Sequence, residues 1–596
     1  MDLSVIIQRF LDEDGNIVLP QNFTIPALAE MLHFMGAQMG KLDDTNIRYW
    51  DFSESADGTL VEYSRRQVNT RVKAVAARLM QVGQPGDRVA ILASNSPEYI
   101  FGFVGALYAG QVPIPLYDPN EPGHGEHLRA VLADSGASTV LTNKDGAPAV
   151  RAYFADLPAA QRPRILSVES LPDSLAESWE PLEMPEGTDT SRDTSFLQYT
   201  SGSTRMPAGV VLTNESIVTN VIQMYTAVGL SQPMRAPIWL PLHHDMGIIV
   251  ALLLVVLGTE IELMAPRDFI QQPKRYIQQL SRREDDPEDM HIFSVVPNFA
   301  LDLTARYARL TEDDDLDLSA VEGLIIGSES VTQAGIDAFM DAFTGAGLRD
   351  TVLRPAYGLA EATLIVSVAD TPSFTRFDRE QLAQGKAVES AEGLPMASTG
   401  RPVPWMNLAI VDPQTHNQVE DGTIGEIWVH GANVAGGYLD REEETRETFG
   451  NTLNEALGEG LPSDGWLATG DLGANVGDQV YITGRLKELI VIAGRNHYPQ
   501  DIEATVMEAT DHVRPDSVAA FAVPGDDVER LVLFVERADE ASADGDLAAE
   551  DTIRAAVTST HGISPDVIEF YAPNEIARSS SGKIARRVNM QKFLKR

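Results

Sequence analysis

The chain has 596 residues, 43% hydrophobic and 22% charged, with 87 acidic against 46 basic side chains and a net charge of −41. That length calls for several packed layers, and the acidic excess disfavours broad contacts with nucleic acid or anionic membrane, which need positive charge. Cysteine is absent, which excludes disulfides, thiolate metal centres and cysteine nucleophiles and agrees with a cytoplasmic location.

The N-terminal stretch turns acidic after a few apolar residues and lacks a sustained apolar run, so no secretory signal is expected. The first clear unit is a buried strand at Arg88–Leu92, a short apolar run. Ser96, Pro97 and Glu98 then supply an N-cap, a first-turn proline and an early acid. The helix they start runs to Ala109, stops at Gly110 and returns as an extended segment at Val112–Leu116. Strand, helix, strand in this order implies parallel pairing. The pattern recurs with helices at Glu126–Asp134 and Asn214–Val228 and strands at Ser138–Thr142, Thr194–Gln198, Pro237–Leu240, Phe293–Val296 and Leu324–Ile326. The most apolar run, Ile248–Leu257, is too short to span a bilayer and is expected to be a buried helix.

From about Pro402 the pattern changes to strands joined by turns: Leu408–Val411, Gly425–His430 and Gln479–Thr483. From about Arg485 strands and helices mix again, as at Ser517–Val523 and Asp551–Ser559. The acidic stretch Ala538–Asp551 reads as a solvated loop. The expected architecture is α/β: a large N-terminal domain, residues 1–484, with two α/β sheets and a smaller β-rich subdomain at about 402–484, followed by a small α+β C-terminal domain, residues 485–596.

The strongest chemical signal is the string Tyr199–Gly209, after the strand at Thr194–Gln198. Thr200, Ser201, Gly202, Ser203 and Thr204 can offer hydroxyls and backbone N–H groups to phosphate oxygens. A Walker loop is excluded because no Gly-Lys-Ser/Thr follows. Gly327, Ser328 and Glu329 follow a strand, at the edge where α/β sheets bind ligands. His243 and His244 beside Asp245 suggest a metal at first, but adjacent histidines diverge and no third ligand of matching spacing appears.

The Tyr199–Gly209 string resembles the phosphate loop of the adenylate-forming superfamily, which includes acyl-CoA synthetases, peptide-synthetase adenylation domains and luciferases. Its other motifs follow in order. Ala356, Tyr357, Gly358 and Glu361 lie in the string resembling the one whose glutamate holds Mg²⁺. Thr469–Asp471 is similar to the motif whose aspartate binds the ribose hydroxyls. Gly484–Glu488 is similar to the hinge motif, with Lys487 at the pivot and Arg485 reaching the nucleotide. Ser580–Lys583 resembles the segment carrying the catalytic lysine. The resemblance further implies adenine contacts at Gly327–Glu329, His243 bordering the carboxylate and acyl site, and a mobile C-terminal domain. ATP and Mg²⁺ are the implied cofactors.

Two departures from the general pattern narrow the subfamily. Arg205 and Ala208 stand where most relatives have glycine and lysine, a form similar to that of fatty-acyl-AMP ligases. The segment 369–396 is rich in charge and turn formers, where these ligases carry an insertion proposed to restrain the C-terminal domain and disfavour free coenzyme A. The wording as a whole resembles the long-chain ligases of the mycolic-acid pathway in mycobacteria and corynebacteria. That implies a long-chain fatty acid substrate and, as acceptor, the phosphopantetheine thiol of an acyl carrier domain of a polyketide synthase. A fatty acyl-CoA synthetase and a non-catalytic acyl- or nucleotide-binding scaffold remain the alternatives. The apolar helix after His243 fits an acyl channel wall or plain core.

Overall fold

The computed structural model describes residues 7–121, 125–184, 187–200, 207–311, 314–492, 495–525, 529–579 and 582–595. Its largest sheet has nine strands in the spatial order Arg401–Pro402, Ile365–Val368, Leu353–Gly358, Val321–Gly327, His291–Pro297, Met234–Ile238, Glu260–Leu263, Thr45–Asp51 and Thr59–Ser64. The six strands from Leu353–Gly358 across to Thr45–Asp51 run parallel, so the segments leaving their C-terminal ends gather along one edge. A second sheet, all parallel, orders Val112–Leu116, Arg88–Leu92, Thr139–Thr142 and Arg164–Ser167.

The main core lies between these sheets. It joins Val89 and Ile91 to Ile238 and Ile261 through the helices Arg65–Val82, Pro97–Tyr108, Asn214–Val228 and Asp245–Val256. The Pro97–Tyr108 helix is buried on every side, as expected of a helix that is apolar all round. Ser96 accepts a hydrogen bond from the Tyr99 N–H and Pro97 occupies the first turn, so its start is fixed by local chemistry. Thr213 and Ser216 form a reciprocal capping box for Asn214–Val228, and Gly229 closes that helix in the left-handed region.

The opposite edge of the nine-stranded sheet is pinned by charge. Arg235, fully buried, pairs with Asp286 at 3.0 Å and Glu262 at 3.3 Å and donates to the Gln279 and Ser281 carbonyls. Such a network tolerates no partial loss, because a buried charge without its partner is costly.

Met406–Val411, Gly425–Gly431, Leu467–Val476 and Gln479–Arg485 form an antiparallel four-stranded sheet. Residues from Ile490 onward have cores of their own, built on the sheet Val513–Val523, Arg530–Arg537 and Val567–Tyr571. Two expectations need correction. The strand placed at Pro237–Leu240 is Met234–Ile238; Trp239 and Leu240 leave the ladder and enter a second core, where Trp239 stacks on Phe269 with ring centres 3.9 Å apart. The stretch Ala538–Asp551 is not a loop throughout. A helix begins at Asp546 and runs to His561, burying Ala549, Ile553 and Val557. The acids that suggested a loop lie around and on the outer face of its first turns, where negative charge suits a helix N-terminus.

Candidate active site

The segments named by the sequence motifs converge at the C-terminal edge of the large sheet. Gly327 ends one strand, and Ser328 follows with φ 75°. Tyr357 and Gly358 end the next. The chain then turns so tightly that a Cβ on Gly358 would stand 1.8 Å from the Leu364 carbonyl oxygen, so only glycine fits. Met246, at the start of the Asp245–Val256 helix, lies against Gly327: a Cβ there would be 3.9 Å from its sulfur. The His243 segment is held from the other side, where Gln198 donates to the His243 carbonyl at 2.9 Å. The His243 ring meets Tyr117 edge-on, with centres 5.0 Å apart.

Asp471 is the centre of a hydrogen-bonded group. Tyr357 donates to its Oδ2 at 2.8 Å and the Arg485 Nε lies 3.1 Å from its Oδ1. Its own N–H donates to Thr469, and the Gly470 N–H to Glu426. Thus three motifs far apart in sequence share one carboxylate. Asp471 and burial hold the Tyr357 hydroxyl neutral, well above its ordinary range, with burial the larger cause. Arg485 is held more firmly protonated, first by Asp471 and also by Glu488 and Glu361.

Glu361 accepts from the Tyr438 hydroxyl at 2.8 Å through Oε1. Burial raises its pKa, and the Tyr438 bond partly opposes that. Tyr438 belongs to no motif; the sequence holds no signal that a tyrosine so far along the chain meets Glu361. Among the described residues no group of three or more His, Asp or Glu side chains is arranged to hold a metal ion. A single carboxylate with one committed oxygen suits Mg²⁺ that keeps water and phosphate oxygens as its other ligands.

The backbone of Lys583 is anchored close by. Ser579 donates to its carbonyl at 2.8 Å, and the helix Arg586–Leu594 follows at once. Arg586 ties this segment to two acids outside it, donating to Glu488 at 2.6 Å and to both Glu503 oxygens. Lys583 faces Asp245, Glu329 and Asp471, while burial, first, and then Arg485 lower its pKa. Lys583 and Arg485 are nonetheless exposed, and Glu361, Asp245 and Glu329 keep open surface. Groups that are desolvated yet open in this way line a cleft. Burial likewise raises the Asp245 carboxyl, and that of Glu329 to about 7; Glu329 also accepts from the Phe299 N–H at 2.5 Å.

Thr200 follows the strand Thr194–Tyr199, its N–H donating to the Ala208 carbonyl; Ser201, Gly202, Ser203 and Thr204 lie outside the described residues. Lys487 is exposed on the short turn Leu486–Glu488, between the four-stranded sheet and the C-terminal cores. Asp245, assigned no role from sequence, joins the cleft at the first turn of its helix. The rest of that helix packs in the main core, which accounts for its apolar composition.

The sheet-edge cleft is thus lined by a desolvated lysine, a carboxylate and an aspartate–tyrosine–arginine group, and the chain belongs to the AMP-binding enzyme family, which matches residues 44–439. Residues 487–596 match the Disco-interacting protein 2-like AMP domain. Among individual relatives, the long-chain-fatty-acid–AMP ligase FadD32 of Mycobacterium marinum is 41% identical over 578 residues, 91% of each chain. A solved chain from a study of fatty acyl-adenylate ligases of E. coli and L. pneumophila superposes with a TM-score of 0.81 at 28% identity, covering 96% of this chain and 98% of its own. The fatty acyl-adenylate ligase of L. pneumophila in complex with acyl adenylate and pyrophosphate gives 0.69 at 27% identity, over 95% and 96%.

Proposed function

We propose that the protein is a long-chain fatty-acyl-AMP ligase. It joins a fatty acid to AMP from ATP, releases pyrophosphate, and passes the acyl group to the phosphopantetheine thiol of an acyl carrier domain. The carrier belongs to a polyketide synthase of mycolic acid or related lipid synthesis, and the work is done in the cytoplasm. The observation that carries this reading is the convergence of Lys583, Glu361 and the Asp471–Tyr357–Arg485 group on one cleft.

A fatty carboxylate is a weak nucleophile that must approach a polyanion. Lys583 supplies a point charge between the carboxylate and the α-phosphate, where negative charge gathers as the carboxylate oxygen attacks phosphorus and the bond to pyrophosphate breaks. Asp471 accepts from the ribose hydroxyls through its carboxylate oxygens, with Tyr357 and Arg485 fixing its orientation. Gly327–Glu329 and Ala356–Gly358 face the adenine, and Thr200–Thr204 hold phosphate oxygens. His243 borders the carboxylate. Mg²⁺, when bound through Glu361, would offset phosphate charge. In the second step the thiol attacks the acyl carbon and AMP leaves, after the part from Arg485 to Arg596 turns about Lys487.

The test is mass spectrometry of the products formed from a long-chain fatty acid, ATP and Mg²⁺ with coenzyme A present. Accumulated acyl-AMP with little acyl-CoA is expected. Efficient acyl-CoA formation would make the protein a synthetase, and neither product would leave a different acid or a scaffold.

A further inference from the structure

Away from the cleft, a cavity of about 50 Å³ lies between the helices Ile25–Gln38, Arg65–Val82 and Pro97–Tyr108 and the end of the Asp245–Val256 helix, at Val255–Gly258. Its walls are mostly apolar, with Leu32, Val68, Val72 and Val104 prominent. One cation breaks that pattern. Arg65 is largely buried, with 19% of its side chain exposed, and its nearest acid, Asp44, is 3.9 Å away. Its Nε is buried without a hydrogen-bond partner. Burial depresses its pKa, and Asp44 alone opposes that change.

The surroundings do not complete it. Glu30, the acid on the facing helix, already accepts from Asn69, Lys73 and Tyr108. Asp43 pairs with Arg66 at 3.1 Å. His33 on the cavity wall has its pKa lowered chiefly by burial; Glu30 opposes that change, and Lys73, Arg66 and Arg65 add to it. Two glycines leave room for the guanidinium. A Cβ on Gly258, at φ +67°, would lie 3.2 Å from its Nε, and one on Gly36 3.8 Å from its Nη1.

A buried guanidinium with open hydrogen-bonding capacity, set among aliphatic walls, is complementary to a carboxylate carried on an apolar body. We propose that this cavity is a second ligand site, taking a monocarboxylate with its head on Arg65 and its first methylenes against Leu32, Val68, Val72 and Val104. It is separate from the adenylating cleft. Asp245, which faces that cleft, begins the helix whose other end forms the cavity wall, a span of about 18 Å at 1.5 Å per residue. The helix between is packed into the main core.

The experiment is photolabelling of the full chain with a diazirine analogue of octanoic acid, the labelled peptides being mapped by mass spectrometry. Labelling is expected in the peptides around Leu32, Val68–Val72 or Val255–Gly258, apart from any in the cleft. Arg65→Met should reduce that labelling about tenfold, and Arg65→Lys should keep most of it, with pyrophosphate release unchanged in both. On the wild type, unlabelled octanoate should compete and octanol, which lacks the charge, should not; this arm stands even if the variants fail to fold. Labels confined to other regions, labelling undiminished in a folded Arg65→Met, or equal competition by octanol would each overturn the proposal.

Discussion

At the scale of single residues, Lys583 and Tyr357 separate two kinds of contribution. Lys583 is a cation kept among acids: Asp245, Glu329 and Asp471 favour its charge against burial and Arg485. In the proposed reaction its worth lies in charge that develops only as the α-phosphate is attacked. Lys583→Ala should therefore cost about 10²–10³-fold in kcat with an unchanged melting curve, measured as pyrophosphate release; release at the wild-type rate would sink its assignment. Tyr357 acts through Asp471. Tyr357→Phe removes one hydrogen bond to a carboxylate that keeps Arg485, worth about 1.5 kcal/mol, and so should raise the KM for ATP about tenfold while kcat changes little. A fall in kcat with constant KM would instead put Tyr357 at the reacting atoms.

At the scale of elements, the segment 369–396 is where the two parts of the chain are tied together. It forms the strands Phe374–Phe377 and Leu394–Ala397 with the helix Arg379–Ala383 between them. Phe377 and Leu382 pack with Tyr481 of the four-stranded sheet and with Tyr498 further along the chain. Arg379 donates from Nε and Nη2 to the Asp501 carboxylate, at 3.1 to 3.3 Å. A fork-to-carboxylate pair fixes direction as well as distance, so Arg379→Ala should free the C-terminal part to turn. The expected result is a several-fold rise in acyl transfer to free coenzyme A with adenylation unaltered; no change in acyl-CoA would show that the apolar contacts alone hold the segment. The sequence marks this segment by its charge and turn formers but not by what it touches. Local signals, such as the Ser96 cap or the Thr213 start of Asn214–Val228, act within a few residues and can be read directly. The Arg379–Asp501 pair and the Tyr438–Glu361 bond join residues 122 and 77 positions apart, and no periodicity encodes such a meeting. The helix at Asp546 was hidden for a different reason: its acids outweigh the spaced Ala549, Ile553 and Val557 when composition is read first.

At the scale of the whole molecule, the meeting of the two parts brings like charges together. Glu329 and Asp302 of the large part face Asp516 of the C-terminal part, with Lys583 beside Glu329 and Arg306 beside Asp302 as counter-charges. Burial, chiefly, lifts Glu329 to about 7 and Asp302 to about 6, against an ordinary value near 4.5 for Glu and 3.8 for Asp. An acid whose pKa is raised by closure is protonated in the closed form at pH values where the open form has lost its proton. If the C-terminal part turns away as proposed and Glu329 returns to its ordinary range, the arrangement seen here takes up protons between about pH 4.5 and 7 relative to the turned one, and it weakens as the pH rises through that window. A tenfold difference in proton affinity between the closed and open forms is worth about 1.4 kcal/mol, enough to move a balanced equilibrium tenfold. Because the chain has no cysteine, Leu157→Cys and Leu547→Cys place two unique labels on exposed sites, one in each part. Energy transfer between them should fall from pH 5.5 to 8, and Glu329→Gln, which stays neutral, should flatten most of that fall while leaving Asp302 to account for the remainder below pH 6. An equally steep fall in Glu329→Gln would mean that closure is governed by other groups than this acidic face.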